Sequence, residues 1–319
     1  MDPVTHTLAG LALARTGLAR RTALGTATLV LAANLPDVDG VAYFGPPALD
    51  LAWRRGWTHG VLALFVLPFL LAGAMLLADR LLARLGRASI PGEARPGQLL
   101  LLSFVGVWSH PVLDTLNTYG VRWLMPFAGT WFYGDTLFIV DPWLLGILAA
   151  GVLLARRWRR ARDFALDPAR PARAAVAVAA LYVVLMAAGA LAARRMVRSE
   201  TGGEALMVAP RPVTPFSRYV VVADGAVYRT GTFRWLGTPH LDPASVETHP
   251  RPAADDPLLA QARATEVGRR FLGWARFPVA RLVDGGTAIE LADLRYAVPG
   301  ETSFAVVRVP VRGAPPVHP

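Results

Sequence analysis

A set of long, nearly uncharged apolar runs in the first two-thirds of the chain limits what it can fold into. Val61–Ala78 and Ala174–Ala193 carry no charged residue, Pro96–Leu113 carries no Asp, Glu or Arg, and Thr136–Ala155 is apolar except for Asp141. A helix needs about 20 mostly apolar residues to cross a bilayer, so these four segments read as membrane spans. Val4–Leu18 and Thr22–Leu35 precede them and read as marginal spans or as a short hairpin packed on the others. The expected number of spans is therefore four to six. Met1–Leu13 lacks the positively charged start of a signal peptide. With 54% hydrophobic and 18% charged residues, the chain is too apolar for a single soluble domain, where about a quarter of residues are charged, and it is not disordered. Cysteine is absent, which excludes disulfides, thiolate metal sites and Cys nucleophiles.

The formal charge of +10 comes with 33 basic residues, all arginine. Such a charge would suit nucleic acid, but the arginines gather beside the apolar runs, where membrane orientation accounts for them, and no nucleic-acid partner is expected. Three connections, at Arg15–Arg21, Arg80–Arg95 and Arg156–Arg173, hold fourteen arginines; the alternate connections hold six, Arg54, Arg55, Arg122, Arg194, Arg195 and Arg198. The excess of positive charge belongs inside, which assigns the fourteen-arginine side to the cytoplasm. Beyond Arg198 the character changes. Arg218–Asp224, Ala226–Leu236, Pro278–Val283, Ala288–Leu294 and Ser303–Val309 read as strands, with a hairpin turn at Asp224-Gly225. Pro257–Phe271 reads as an amphipathic helix and Thr238–Asp256 as a loop. The expected fold is an all-α multi-span membrane bundle over residues 1–198, followed by a small α+β extramembrane domain over residues 199–319 outside the cytoplasm.

Ionisable groups at the ends of apolar helices are costly and face a cavity or one another. Here they share one side. His6 begins the first segment, Asp37 and Asp39 close the second, His59 precedes the first long run, and His110 and Asp114 end the next. The four-residue spacing of His110 and Asp114 puts both on one helix face a turn apart. Imidazole and carboxylate together suit Zn²⁺, with Mn²⁺ or Fe²⁺ as alternatives. The expected ligand set is His6, Asp37, Asp39, His59, His110 and Asp114. The bland alternative for His110 and Asp114 is a hydrogen bond that stitches a helix.

The segments Asp2-Pro-Val-Thr-His6-Thr, Leu35-Pro-Asp-Val-Asp39, Thr58-His59, His110-Pro-Val-Leu-Asp114, Asn117-Thr-Tyr-Gly120, Leu124-Met-Pro-Phe127 and Asp135-Thr-Leu-Phe-Ile-Val-Asp-Pro142 together resemble the family of predicted membrane-bound metal-dependent hydrolases of bacteria and archaea. The resemblance covers roughly residues 1–150 and implies a multi-span hydrolase of the inner membrane with these His and Asp residues as metal ligands. A more distant likeness is to zinc-dependent phospholipase C and the related single-strand nucleases, whose helical site takes an early His, an Asp, a His and a His-xxx-Asp pair in that order. Those enzymes use further histidines, whereas this chain has none between His110 and His240.

A divalent ion in such a site acidifies water toward neutral pH and polarises a phosphoryl or carbonyl oxygen. Asp37 or Asp39, whichever is not a ligand, is then the expected catalytic base. Arg54 and Arg55 are candidates for bidentate contact with a substrate phosphate; the alternative is that they are solvated interfacial arginines. Asp135 and Asp141 read equally as helix-start signals and as partners of a ligating His. Asn117–Tyr119 is expected to turn the chain, and Gly120 to take a positive φ. His240, His249 and His318 are expected in exposed loops. The expected function is a membrane hydrolase acting on a phosphodiester or lipid-derived small molecule at the outer interface. The competing reading is a non-catalytic membrane protein with a structural His/Asp metal site. A metal or proton transporter is disfavoured, because its ligands would gather at mid-membrane.

Overall fold

The Asp2 carboxylate accepts from the backbone N–H groups of Val4 and Thr5, and Pro3 stands at the first helical position. This is a strong N-terminal signal, and it places His6 one turn into helix α1 (Pro3–Arg15). The structure, a computed structural model, describes residues 1–45, 47–86, 93–161, 167–203 and 205–311. Arg87, Arg162 and His318 lie outside them.

The chain divides into two compact units, one of Met1–Val41 with Arg54–Ala188, the other of Ala42–Trp53 with the chain from Gly189 onward. The first is helical. After α1 come α2 (Gly25–Asn34), α4 (Val61–Arg84), α5 (Pro96–Thr115), α6 (Pro142–Ala161) and the first part of α7 (Arg170–Thr201). A 3-10 segment, Leu35–Phe44, follows α2, and the short helix α3 (Pro47–Trp53) belongs to the second unit. Within the first unit α2 lies between α1 and α5, and glycine makes both approaches close. A Cβ on Gly10 would stand 2.8 Å from the Leu29 carbonyl oxygen, and one on Gly106 would stand 3.1 Å from that oxygen and from the Ala33 nitrogen. Leu29, Leu64, Leu99, Leu102 and Val107 fill the core around these contacts.

Among the described residues two helices, α4 with 24 residues and α7 with 32, are long and apolar enough to cross a membrane. Four to six were expected, and the difference has a local cause. Helix α5 carries His110 and Asp114 toward its C-terminal end, and α6 carries Arg156, Arg157, Arg159 and Arg160. Thr136–Asp141 stays outside α6, because Asp141 Oδ1 caps that helix by accepting from Trp143 and Leu144 at 3.1 and 2.9 Å. The helix-start reading of Asp141 is therefore the one realised. Helices α1 and α2, at 13 and 10 residues, are too short to cross; α1 packs on α2 and α6. Phe65, Phe69 and Leu70 on α4 and Leu181, Val184 and Leu185 on α7 are exposed, a run of apolar surface foreign to a water-soluble monomer.

The second unit follows the expected strand and helix pattern in part. Strands β1 (Ala205–Pro210), β2 (Ser217–Asp224), β3 (Val227–Arg234) and β4 (His240–Leu241) pair in that order, and β5 (Glu247–Pro250) also pairs with β3. Strands β6 (Pro278–Val283), β7 (Ala288–Asp293) and β8 (Val306–Pro310) form a second antiparallel sheet. The β2–β3 hairpin turns at Gly225, which takes φ +55°. Strand β1 was not legible, because Leu206 to Ala209 are all buried and so show no alternation. The segment expected as a loop contains β4 and β5, and these carry His240 and His249. The expected single helix is two, α8 (Pro257–Ala264) and α9 (Glu266–Trp274), since Thr265 turns extended and caps the second by accepting from Gly268. Met207, Val221 and Tyr228 from the first sheet meet Val279 and Ala292 from the second in one core. The expected boundary at residue 198 falls inside continuous helix α7. Residues 42–53 join this unit through the packing of α3 on α9.

Candidate metal centre

The ends of α1, α2 and α5 bring the polar residues together. Ligand atoms of Asp37, His59, His110 and Asp114 all lie within 4.8 Å of one another. His59, His110 and Asp114 are fully buried, whereas the Asp37 side chain is 27% exposed. The imidazole tautomers follow from what each ring touches. His110 Nδ1 lies 2.6 Å from the Ala33 carbonyl oxygen, which can only accept, so Nδ1 carries the proton and Nε2 presents a lone pair. His59 Nδ1 lies 3.2 Å from Asp39 Oδ2, an acceptor when ionised, so His59 Nε2 also presents a lone pair. Burial, the largest influence on His59, pushes it down to about 4 against the pull of Asp39, and the ring is neutral at pH 7. The two Nε2 atoms face each other at 3.1 Å with no proton for either to donate.

Carboxylate oxygens complete the group. Asp114 Oδ2 is buried and accepts no hydrogen bond, yet it lies 3.4 Å from His59 Nε2 and 3.5 Å from His110 Nε2. Asp37 Oδ1 lies 3.5 and 3.9 Å from His110 and His59 Nε2. Acceptors packed this closely repel unless a cation lies among them. Tetrahedral bonds of about 2.0–2.1 Å to nitrogen and oxygen separate ligand atoms by about 3.3 Å, close to the spacings seen. Among the described residues the carboxylates of Asp37, Asp39 and Asp114 gather beside the Arg55 side chain and the Met1 amino group, and a divalent ion would offset the remaining negative charge. The residues fit a metal ion.

The remaining expected residues surround this group. Asp39 Oδ2 takes the Arg55 N–H at 2.8 Å, the Thr58 hydroxyl at 2.9 Å and the His59 Nδ1 proton. It stands behind His59 and orients the ring, outside the four ligand-sized groups. His6 stacks on His110 with centroids 3.7 Å apart, and its Nε2 lies 3.2 Å from Asp114 Oδ1, which holds that carboxylate. The Met1 amino group also abuts Asp114 Oδ1. Arg55 is buried, not solvated: Nε is 3.2 Å from Asp114 Oδ2, Nη1 donates to Asn117 Oδ1 at 3.0 Å, and the guanidinium lies 4.8 Å from the Tyr119 ring centre. Arg54 also stacks toward Tyr119. Asn117 Oδ1 turns the chain by accepting from Tyr119 at 2.8 Å, and Gly120 takes φ +89°. Asp135 is buried at φ +49°. Sequence reasoning missed Thr58 and the Ala33 carbonyl as orienting groups; the Thr58-His59 pair was the one available signal.

The family model for the YdjM inner membrane protein matches residues 1–195. The chain belongs to the YdjM inner membrane protein family. No curated protein and no solved structure matches it. The match to the YdjM family spans every residue of the Asp37/His59/His110/Asp114 group. For this YdjM-family chain the orienting role of Asp39 makes a specific prediction. Asp39→Asn, which weakens the His59 contact without removing a ligand atom, lowers metal affinity by about 10–100-fold. Competition titration against a chelator measures it, and an unchanged affinity would remove Asp39 from the site.

Proposed function

We propose that this chain is a multi-pass inner-membrane, metal-dependent hydrolase acting on a phosphodiester or lipid-derived substrate. The observation that carries the reading is the convergence of two imidazole lone pairs and Asp114 Oδ2, a buried oxygen that accepts no hydrogen bond, on one point. Zn²⁺ is the ion these groups suit best, with Mn²⁺ or Fe²⁺ as alternatives. Such an ion supplies Lewis-acid polarisation of the scissile group and acidifies water. We assign His59, His110 and Asp114 to holding it. Asp39 fixes His59, and Arg55 balances Asp114 and adds positive charge beside the developing oxyanion. Asp37 alone in the group has access to solvent. Its carboxylate takes a proton from the attacking water and returns it to the leaving oxygen as the ester bond breaks. That opening supports a catalytic site over a sealed structural centre, in which four protein ligands close the shell.

Exposed Trp57, Phe127, Phe132 and Trp143 lie in segments close in sequence to His59 or following Asp114. They suit a membrane–water interface, where aromatic rings gather, and so support a substrate drawn from the bilayer. In this reading α5 and α6 cross the membrane beside α4 and α7, the arginine-rich side faces the cytoplasm, and residues 199–319 lie outside. A reporter active only outside the cytoplasm should therefore work when fused after Gly202 and fail when fused after Arg160. The opposite pattern would turn the site inward. The activity itself is tested by a screen of phosphodiester and lipid ester substrates with metal-loaded protein, chelated protein and Asp114→Ala. Turnover by the loaded wild type alone supports the hydrolase. Turnover that persists in Asp114→Ala contradicts it, and a metal-replete protein inert across the screen favours the structural centre.

A further inference from the structure

The helical unit has a second polar feature at its other end. A cavity of about 610 Å³ lies among the C-terminal end of α1, the start of α2 and the last turns of α6, lined by Arg15, Arg20 and Arg159 with Thr22 and Thr26. Nine residues of α1 separate His6 from Arg15, about 13 Å along the helix axis, so this cavity is distinct from the metal centre. Its lining includes no carboxylate. Asp167, next to the lining residue Pro168, is paired with Arg173 at 3.1 Å. Among the described residues no acidic partner is found for Arg15, Arg20 or Arg159, and Arg15 Nε is buried without a hydrogen bond.

The chain turn adds to the positive field. A Cβ on Gly25 would stand 2.6 Å from the Ala19 carbonyl oxygen, so glycine lets α2 begin directly beside Arg20. Helix α2 starts without a side-chain cap, which leaves its first N–H groups and the positive end of its dipole at the cavity. Three arginines lining one cavity beside a helix N-terminus favour an anion there. Leu24, Ala27 and Val30 supply apolar lining next to the arginines, and the volume is that of a ligand pocket, larger than a bare phosphate ion needs.

We propose that this cavity binds a phosphate group carried by an anionic membrane lipid, with the headgroup between Arg15, Arg20 and Arg159. Mixed basic and apolar lining at the arginine-rich end of a membrane protein is the chemistry that takes such headgroups. The proposal is independent of hydrolysis at the metal centre.

Lipid titration of the detergent-purified full chain, followed by native mass spectrometry, tests it with phosphatidylglycerol, phosphatidylethanolamine and inorganic phosphate as separate probes. The wild type is expected to prefer phosphatidylglycerol. R15Q/R20Q/R159Q should lose about a hundredfold in that affinity, at about fivefold per arginine. R80Q/R84Q/R160Q removes the same charge from exposed positions outside the cavity and should stay within about twofold of wild type, as expected of screened surface charge. Should the triple variant fail to fold, judged by circular dichroism and elution volume, R159Q alone at the exposed end of α6 should still show the fivefold loss. Equal losses in both triple variants would reduce the effect to diffuse attraction and overturn the site. Inorganic phosphate bound as tightly as the lipid, with no preference for phosphatidylglycerol over phosphatidylethanolamine, would overturn the lipid source and leave a site for the free anion.

Discussion

Replacing His110 with alanine is expected to lower bound divalent metal from about one ion per chain to below about a tenth of that. The substitution removes one of two lone pairs that meet at 3.1 Å and also the ring that ties α5 to the Ala33 carbonyl. His59→Ala should act alike, since its Nε2 is the facing atom. His249→Ala should change nothing, because His249 sits on β5 in the second unit, where Nε2 lies 3.2 Å from the Thr230 hydroxyl. Elemental analysis of the purified variants, with helix content followed by circular dichroism, gives the comparison. Full metal content in both His59→Ala and His110→Ala would place any bound ion elsewhere.

Asp37→Asn separates holding from catalysis. In our assignment Asp37 moves a proton and the other three hold the ion, so the variant keeps its metal and loses about 10²–10⁴-fold in kcat on whichever substrate the wild type turns over. Asparagine keeps the size and a polar oxygen but cannot take the proton. The informative pair of readings is kcat beside metal content. Metal lost together with activity would make Asp37 a fourth ligand, and the shell would then be closed as in a structural site. Metal and activity both retained would take Asp37 out of the reaction.

The sequence carried the types of the clustered residues and their convergence well, because both follow from local rules. The spacing of His110 and Asp114 fixes one helix face, and the apolar runs between polar ends bring Asp37, His59 and His110 to one level. It did not show which carboxylate would join the buried group. Asp37 and Asp39 are two residues apart in a 3-10 segment, and only the positions of Thr58, the Arg55 N–H and His59 Nδ1 turn Asp39 away from the centre. That geometry depends on how α2 sits against α5, which Gly106 sets through a close approach invisible to residue patterns. The solvated alternative for Arg55 fails for a similar reason, since the side chain is buried. Its partners, Asp114 and Asn117, are about 60 residues away in sequence, and no local signal marks a buried arginine. Among the helices, Thr136–Asp141 looked like span because it is apolar, while the cap at Asp141 starts α6 at Pro142. In the second unit alternation found β2 and β3 but not β1, whose buried run lacks it.

X-ray absorption at the metal edge, on protein reconstituted singly with Zn²⁺, Mn²⁺ or Fe²⁺ and then desalted, tests the central claim most directly. One tightly held ion with a mixed nitrogen and oxygen shell is expected; for Zn²⁺ the bonds should be about 2.0–2.2 Å, with outer scattering from two imidazole rings. Protein that retains none of the three ions after desalting, or an absorbing ion with no imidazole in its shell, would contradict it.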